Sequence, residues 1–136
     1  MKQVSISILA IAVLGVAASQ AELGDASKLP PASDKKGLTY AKDIAPLLKE
    51  SCLNCHGEMK PKSKYRVDSL EATIKGRSND EAAVIPGNSA KSPIVHYVAD
   101  VVAEYEMPPL DKRDKYPAWT KEQVGLLRAW IDQGAK

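Results

Sequence analysis

The sequence predicts a mainly α-helical fold. Helix start and stop signals recur along the chain, apolar residues follow them at helical spacing, and no convincing pair of strands stands beside them. The clearest helix is the last one. Thr120 and Gln123 form a capping box at its start, Gly134 suits its end, and its apolar face consists of Val124, Leu127, Trp130 and Ile131. The 136 residues are enough for one domain.

A first helix is predicted just before the two cysteines of the chain. Asp43 can cap a helix that enters at Ile44, and Leu47 and Leu48 continue the apolar face that Ile44 begins. This helix should lead directly to Cys52.

Two shorter helices are predicted between the first helix and the last. The run 68–71, Asp-Ser-Leu-Glu, is a capping box, and Gly76 suits the end of a helix of about two turns. Ser92-Pro93 is an N-cap followed by proline at the first helical position. The apolar residues after it are largely β-branched, so a strand is the alternative. The start signal and the spacing favour a helix with a stripe formed by Ile94, Val98, Val101 and Val102.

The N-terminus has the pattern of a secretory signal peptide, which we assign to residues 1–21. Lys2 precedes a mostly apolar run, 4–16, and Ser19-Gln20-Ala21 places small residues at a cleavage site. A retained membrane anchor is the alternative, but the apolar run is shorter than the roughly 18 residues that a spanning helix needs. We therefore expect a periplasmic or otherwise exported protein with no stable membrane span once the signal is cleaved.

The mature chain is predicted to consist of a leader and a folded domain. Residues 22–37 contain Pro30-Pro31 and no periodic apolar face, which predicts a flexible leader, and residues 38–136 form the domain. The chain has 19 basic and 17 acidic residues, a formal charge of +2, and removal of Lys2 with the signal leaves +1. This nearly neutral balance does not indicate a nucleic-acid partner.

Cys52-Leu53-Asn54-Cys55-His56 is a C-x-x-C-H run, the pattern of covalent haem attachment. Two thiols three positions apart can each form a thioether with one vinyl group of haem. The next residue, His56, then offers an imidazole nitrogen to the iron. These are the only two cysteines, and the single motif predicts one haem c. Haem would also supply the large apolar centre that so small a domain lacks.

A C-x-x-C pair also occurs in zinc sites and in redox disulfides. Zinc usually needs four ligands, and beside the cysteines the chain has only His56 and His96. A thioredoxin-like motif belongs to a βαβ unit, and no strand pattern precedes Cys52. Export also agrees with haem attachment, which bacteria carry out on the outer side of the inner membrane. Haem is therefore the favoured interpretation.

Met107 is the candidate for the second axial ligand of the iron. Met59 follows His56 by only three residues and cannot easily reach the opposite face of the haem, whereas Met107 lies 51 residues further on. Pro108-Pro109 favours a stiff, extended loop that can present the methionine inward. His96 is the alternative ligand, although a lone histidine on a helix more often lies at the surface or contacts a haem propionate.

The ordered set of motifs resembles the planctomycete-type cytochrome c domain, a branch of the class I c-type cytochromes. The resemblance runs from about Tyr40 to Ala135, and it rests on segments 43–48, 52–57, 86–88, 107–109 and 130–135. It implies a small helical domain wrapped around one covalent haem, with the N- and C-terminal helices crossing near the haem edge. It also implies His56 and Met107 as axial ligands.

An iron with both axial positions filled predicts a one-electron carrier rather than an enzyme. Two alternatives stay open: a haem-based sensor or peroxidase-like protein with an open iron, and a haem subunit of a larger dehydrogenase. The expected partners are redox proteins. A basic run after the haem motif is either a solvated loop or a docking rim, and it consists of Lys60, Lys62, Lys64 and Arg66.

Overall fold

A computed structural model describes residues 23–77 and 81–136. These ranges contain four α-helices: α1 (Ala45–Ser51), α2 (Leu70–Lys75), α3 (Pro93–Val98) and α4 (Lys121–Asp132). They contain no β-strand, so the predicted mainly α fold is confirmed. No helix in them has the length and apolar character needed to cross a bilayer. The predicted signal peptide, residues 1–21, lies outside the described residues.

Helix α4 is the central element of the core. Gln123 N–H donates to Thr120 Oγ1 at 3.2 Å and Thr120 N–H donates to Gln123 Oε1 at 2.8 Å, so both halves of the predicted capping box are present. The predicted apolar face is buried and packs against α3 and against a π-helical turn, Tyr40–Ile44, that leads into α1. The Tyr40 and Trp130 rings meet at this crossing, with centroids 6.0 Å apart.

The first two helices begin and end near their predicted positions, with a difference in capping at each of them. Asp43 does not cap the α-helix, because the helical segment begins earlier, at Tyr40; its carboxylate accepts the Thr39 N–H at 2.9 Å instead. In α2 the predicted capping box of residues 68–71 is wrong: Ser69 is the N-cap, and its Oγ accepts the Ala72 N–H at 3.2 Å. The Asp68 carboxylate accepts hydrogen bonds from Arg66 instead. Helix α2 ends where Gly76 adopts a φ of +75°, which confirms the predicted stop.

Helix α3 is a helix and not a strand, but it is shorter than the predicted apolar stripe. It ends at Val98, because Asp100 has a φ of +56° and cannot continue a right-handed helix. Val101 and Val102 therefore lie beyond it. Ser92 precedes the helix as predicted, yet its hydroxyl accepts the Ile85 N–H at 2.8 Å instead of capping α3.

Residues 23–37 pack along α4. The Ser33 N–H donates to the Gly125 carbonyl oxygen at 2.9 Å, and Leu29 is buried. A Cβ on Gly125 would lie 2.7 Å from the Pro31 carbonyl oxygen, so glycine permits the close approach of the two segments. Composition alone predicted a flexible leader and gave no sign of these contacts. The division of the chain at residue 38 stays a prediction.

Candidate functional site

The two cysteines and the histidine of the C-x-x-C-H run lie on one tight turn at the end of α1. The N–H groups of Cys55 and His56 both donate to the Cys52 carbonyl oxygen, at 3.1 and 3.0 Å. Both cysteines are free thiols and half-buried. The turn therefore holds two thiols and an imidazole close together, which is what attachment of a haem through two thioethers requires.

Cys52 is held in place by residues that the sequence motif does not include. Ser51 Oγ lies 3.4 Å from Cys52 Sγ, and the Trp119 indole N–H donates to Ser51 Oγ at 2.6 Å. Burial raises the pKa of the Cys52 thiol, against the lowering effect of the Ser51 hydroxyl. Trp119 was not singled out from the sequence, because no local pattern connects it with a serine 68 positions earlier.

His56 has a fixed orientation and a defined tautomer. Its Nδ1 lies 3.0 Å from the Tyr65 carbonyl oxygen, and a carbonyl can only accept, so Nδ1 carries the hydrogen. The neutral ring then keeps its lone pair on Nε2. Burial lowers the pKa of His56, against the raising effect of nearby carbonyls, and this favours the neutral form that binds metals. The Tyr65 ring packs against the imidazole with centroids 5.5 Å apart.

The loop that contains Met107 is attached to the end of α3 at two points. The Met107 N–H donates to the Tyr97 carbonyl oxygen at 2.9 Å, and the Arg113 Nε–H donates to the Pro108 carbonyl oxygen at 3.0 Å. The other two guanidinium nitrogens of Arg113 hold Asp100 at 2.6 and 2.8 Å. The Met107 side chain is half-buried and packs against the hydrophobic core.

The other two candidate ligands occupy different environments. Met59 is 90% exposed. His96 is fully buried in α3, where its Nε2 lies 2.8 Å from the Ala90 carbonyl oxygen, while its Nδ1 has no hydrogen-bond partner in the described part of the chain. Met107 thus stays the predicted ligand, since it is neither solvent-exposed like Met59 nor engaged in a core hydrogen bond like His96.

The segment after Met107 carries an exposed ion pair, in which Lys112 Nζ lies 2.8 Å from Asp111 Oδ2. Asp111 raises the pKa of Lys112 through a hydrogen bond. Lys112 lowers the pKa of Asp111, and Lys62 adds to that shift.

These residues fit a covalently attached haem. Two free thiols lie on one turn, the adjacent imidazole is neutral with one nitrogen held by a carbonyl, and a half-buried methionine lies in a loop tied to the same domain. A histidine that binds a metal through one ring nitrogen usually donates the N–H of its other ring nitrogen to a carbonyl, a carboxylate or water.

Residues 52–111 match the family model described as Planctomycete cytochrome C. The matched region begins at Cys52 and includes Met107-Pro108-Pro109. No curated protein and no solved structure matches the chain. The match supports a planctomycete-type cytochrome c domain in this chain, and with it a haem-binding c-type cytochrome.

Proposed function

We propose that this protein is an exported cytochrome with one haem c that carries single electrons between redox proteins, and that His56 and Met107 are the axial ligands of its iron. Bound haem supplies an iron that takes up and releases one electron. The residues of the chain would bind the haem, provide the two ligands of its iron and keep other ligands from the iron.

The arrangement at His56 carries the proposal. Donation from Nδ1 to the Tyr65 carbonyl orients the ring and makes Nε2 a stronger ligand. Cys52 and Cys55, on the same turn, would hold the haem covalently, so His56 would always meet the iron from the same side. The single C-x-x-C-H run supports one haem, and the signal-like residues 1–21 support export.

The state of Met107 favours a carrier over a protein with an open iron. Its side chain is half-buried, and its loop is attached both to Tyr97 and, through Pro108, to Arg113. A thioether ligand favours ferrous iron and raises the reduction potential. With both axial positions filled by side chains, no coordination position is left for a substrate or a small ligand.

A redox titration of the mature protein tests this proposal. The protein should be made in a host that matures c-type cytochromes, and haem should first be counted per chain. We expect one haem, a reversible one-electron transition, and no rapid binding of carbon monoxide to the reduced protein. Immediate carbon monoxide binding would instead support a sensor or peroxidase-like protein, and purification together with a catalytic subunit would support a dehydrogenase subunit.

A further inference from the structure

Tyr65 and Val67 both form a hydrogen bond with His56, and a tyrosine hydroxyl attaches each of them to another part of the domain. On one side, His56 Nδ1 donates to the Tyr65 carbonyl at 3.0 Å, and the Tyr65 hydroxyl donates to the Thr73 carbonyl at 3.0 Å. On the other side, the His56 carbonyl accepts the Val67 N–H at 2.8 Å, and the Val67 carbonyl accepts the Tyr40 hydroxyl at 2.9 Å.

Thr73 closes these two chains of contacts into a ring that begins and ends at His56. Its Oγ1 lies 3.4 Å from the Tyr40 hydroxyl oxygen. A threonine has a single hydroxyl hydrogen, and that of Thr73 is directed to the Ser69 carbonyl at 2.7 Å. The contact between Thr73 and Tyr40 is therefore the weakest link, and the four other hydrogen bonds make up most of the ring.

The segment before Tyr65 needs such support. Lys60, Ser63 and Lys64 have φ values of 51°, 53° and 58°, a backbone conformation that costs energy in residues other than glycine. Main-chain geometry alone would therefore not keep the Tyr65 carbonyl opposite the imidazole. The Tyr65 side chain provides an attachment to α2, at a residue that is itself fully buried, Thr73.

We propose that the hydroxyl groups of Tyr65 and Tyr40 position His56. By keeping the hydrogen bond of His56 Nδ1 in place, they lower the reduction potential of the iron. The inference rests on the proposed function, because it takes His56 as an axial ligand. Tyr65 acts through its own carbonyl, next to the imidazole. Tyr40 acts indirectly, through Val67. Its aromatic side chain packs on Trp130 and so joins this ring of hydrogen bonds to the core.

The direction of the effect follows from the basicity of the ligand. A firm hydrogen bond from Nδ1 gives the imidazole more electron density, which stabilises ferric iron more than ferrous iron. Loss of a positioning hydroxyl lets the Tyr65 carbonyl move, weakens this hydrogen bond and raises the potential. A side chain with a purely structural role would lower thermal stability and leave both the imidazole hydrogen and the potential unchanged.

The test compares three variants of the mature haem protein, Y65F, Y40F and the double variant, with the control Y116F. Each change removes one hydroxyl and keeps the ring, and the Tyr116 hydroxyl makes no hydrogen bond to a described residue. We expect Y65F to speed exchange of the His56 Nδ1 hydrogen, followed by NMR of the ferrous protein, by about three- to tenfold, the range that loss of one hydrogen bond gives. The potential should rise.

We expect Y40F to act in the same direction with a smaller effect, and Y116F to change neither quantity. The effects of Y65F and Y40F should not add in the double variant, because both hydroxyls hold one imidazole. Unchanged exchange and potential in Y65F, even with a lower melting temperature, would overturn the inference. Failure of the proposed function would instead show in the unsubstituted protein, as a high-spin iron.

Discussion

Arg113 donates a hydrogen bond of 3.0 Å from Nε to the carbonyl oxygen of Pro108, the residue directly after Met107. The same guanidinium donates hydrogen bonds to both carboxylate oxygens of Asp100, just beyond α3. One side chain thus ties the methionine loop to the end of a core helix. The position of Met107 accordingly depends on a residue outside every motif that the sequence offered.

Replacing Arg113 should loosen Met107. R113A removes one hydrogen bond to a carbonyl and a paired ionic contact, worth about 1 to 2 kcal/mol together, so an added ligand should displace the methionine about five- to thirtyfold more readily. A titration of the ferric protein with imidazole, followed by absorbance, measures this. The control is K112A, whose ion pair with Asp111 is exposed. Equal imidazole affinities in R113A and K112A would contradict the expectation.

Removal of the Met107 side chain should open the iron. M107A should lose the sulfur-to-iron charge-transfer band, lower its reduction potential and bind carbon monoxide on mixing, because the thioether that stabilises ferrous iron is gone. M59A provides the matched control, since Met59 is 90% exposed. If M107A kept the band, or if M59A lost it, the assignment of the sixth ligand would be wrong.

The two cysteines should each contribute one covalent bond to haem. C52A and C55A should both retain haem on a denaturing gel, in reduced yield, because one thioether remains in each. The double variant should retain none, while non-covalent haem could still be extracted from the native protein. Haem staining of the gel makes the comparison. Haem that stays with the denatured double variant would exclude attachment through these thiols.

The packing of residues 23–37 on α4 predicts that they stabilise the domain. Leu29 is buried, so L29A should lower the free energy of unfolding by about 2 to 3 kcal/mol. Leu23 is 41% exposed, and L23A should cost less than about 0.5 kcal/mol. Urea unfolding of the mature protein compares the two. Equal free energies of unfolding for L29A and L23A would mean that this segment does not pack on α4 in solution.

Local signals in the sequence were enough for some of these features. The capping box at Thr120 and the apolar face of α4 were predictable because each depends on residues within one helix. The role of the C-x-x-C-H run in haem attachment could be predicted for the same reason, since the residues concerned lie within one turn. The end of α3 was missed because the left-handed conformation of Asp100 has no signature in composition.

Contacts between distant residues could not be predicted from a single sequence. The pairs Tyr40–Val67, Asp100–Arg113 and Ser51–Trp119 join segments 27, 13 and 68 positions apart. No spacing rule connects such positions. Each contact attaches a segment that adjoins a candidate residue, namely His56, Met107 or Cys52. The sequence thus predicted the residues expected to bind haem and missed those that hold them.

The absorption spectrum of the oxidised, mature protein tests the central claim most directly. Ligation by His56 and Met107 predicts a low-spin ferric haem with a sulfur-to-iron charge-transfer band, and a low-spin spectrum after reduction. A high-spin ferric spectrum without that band would contradict the claim, because it would mean an iron with an open or water-filled axial position.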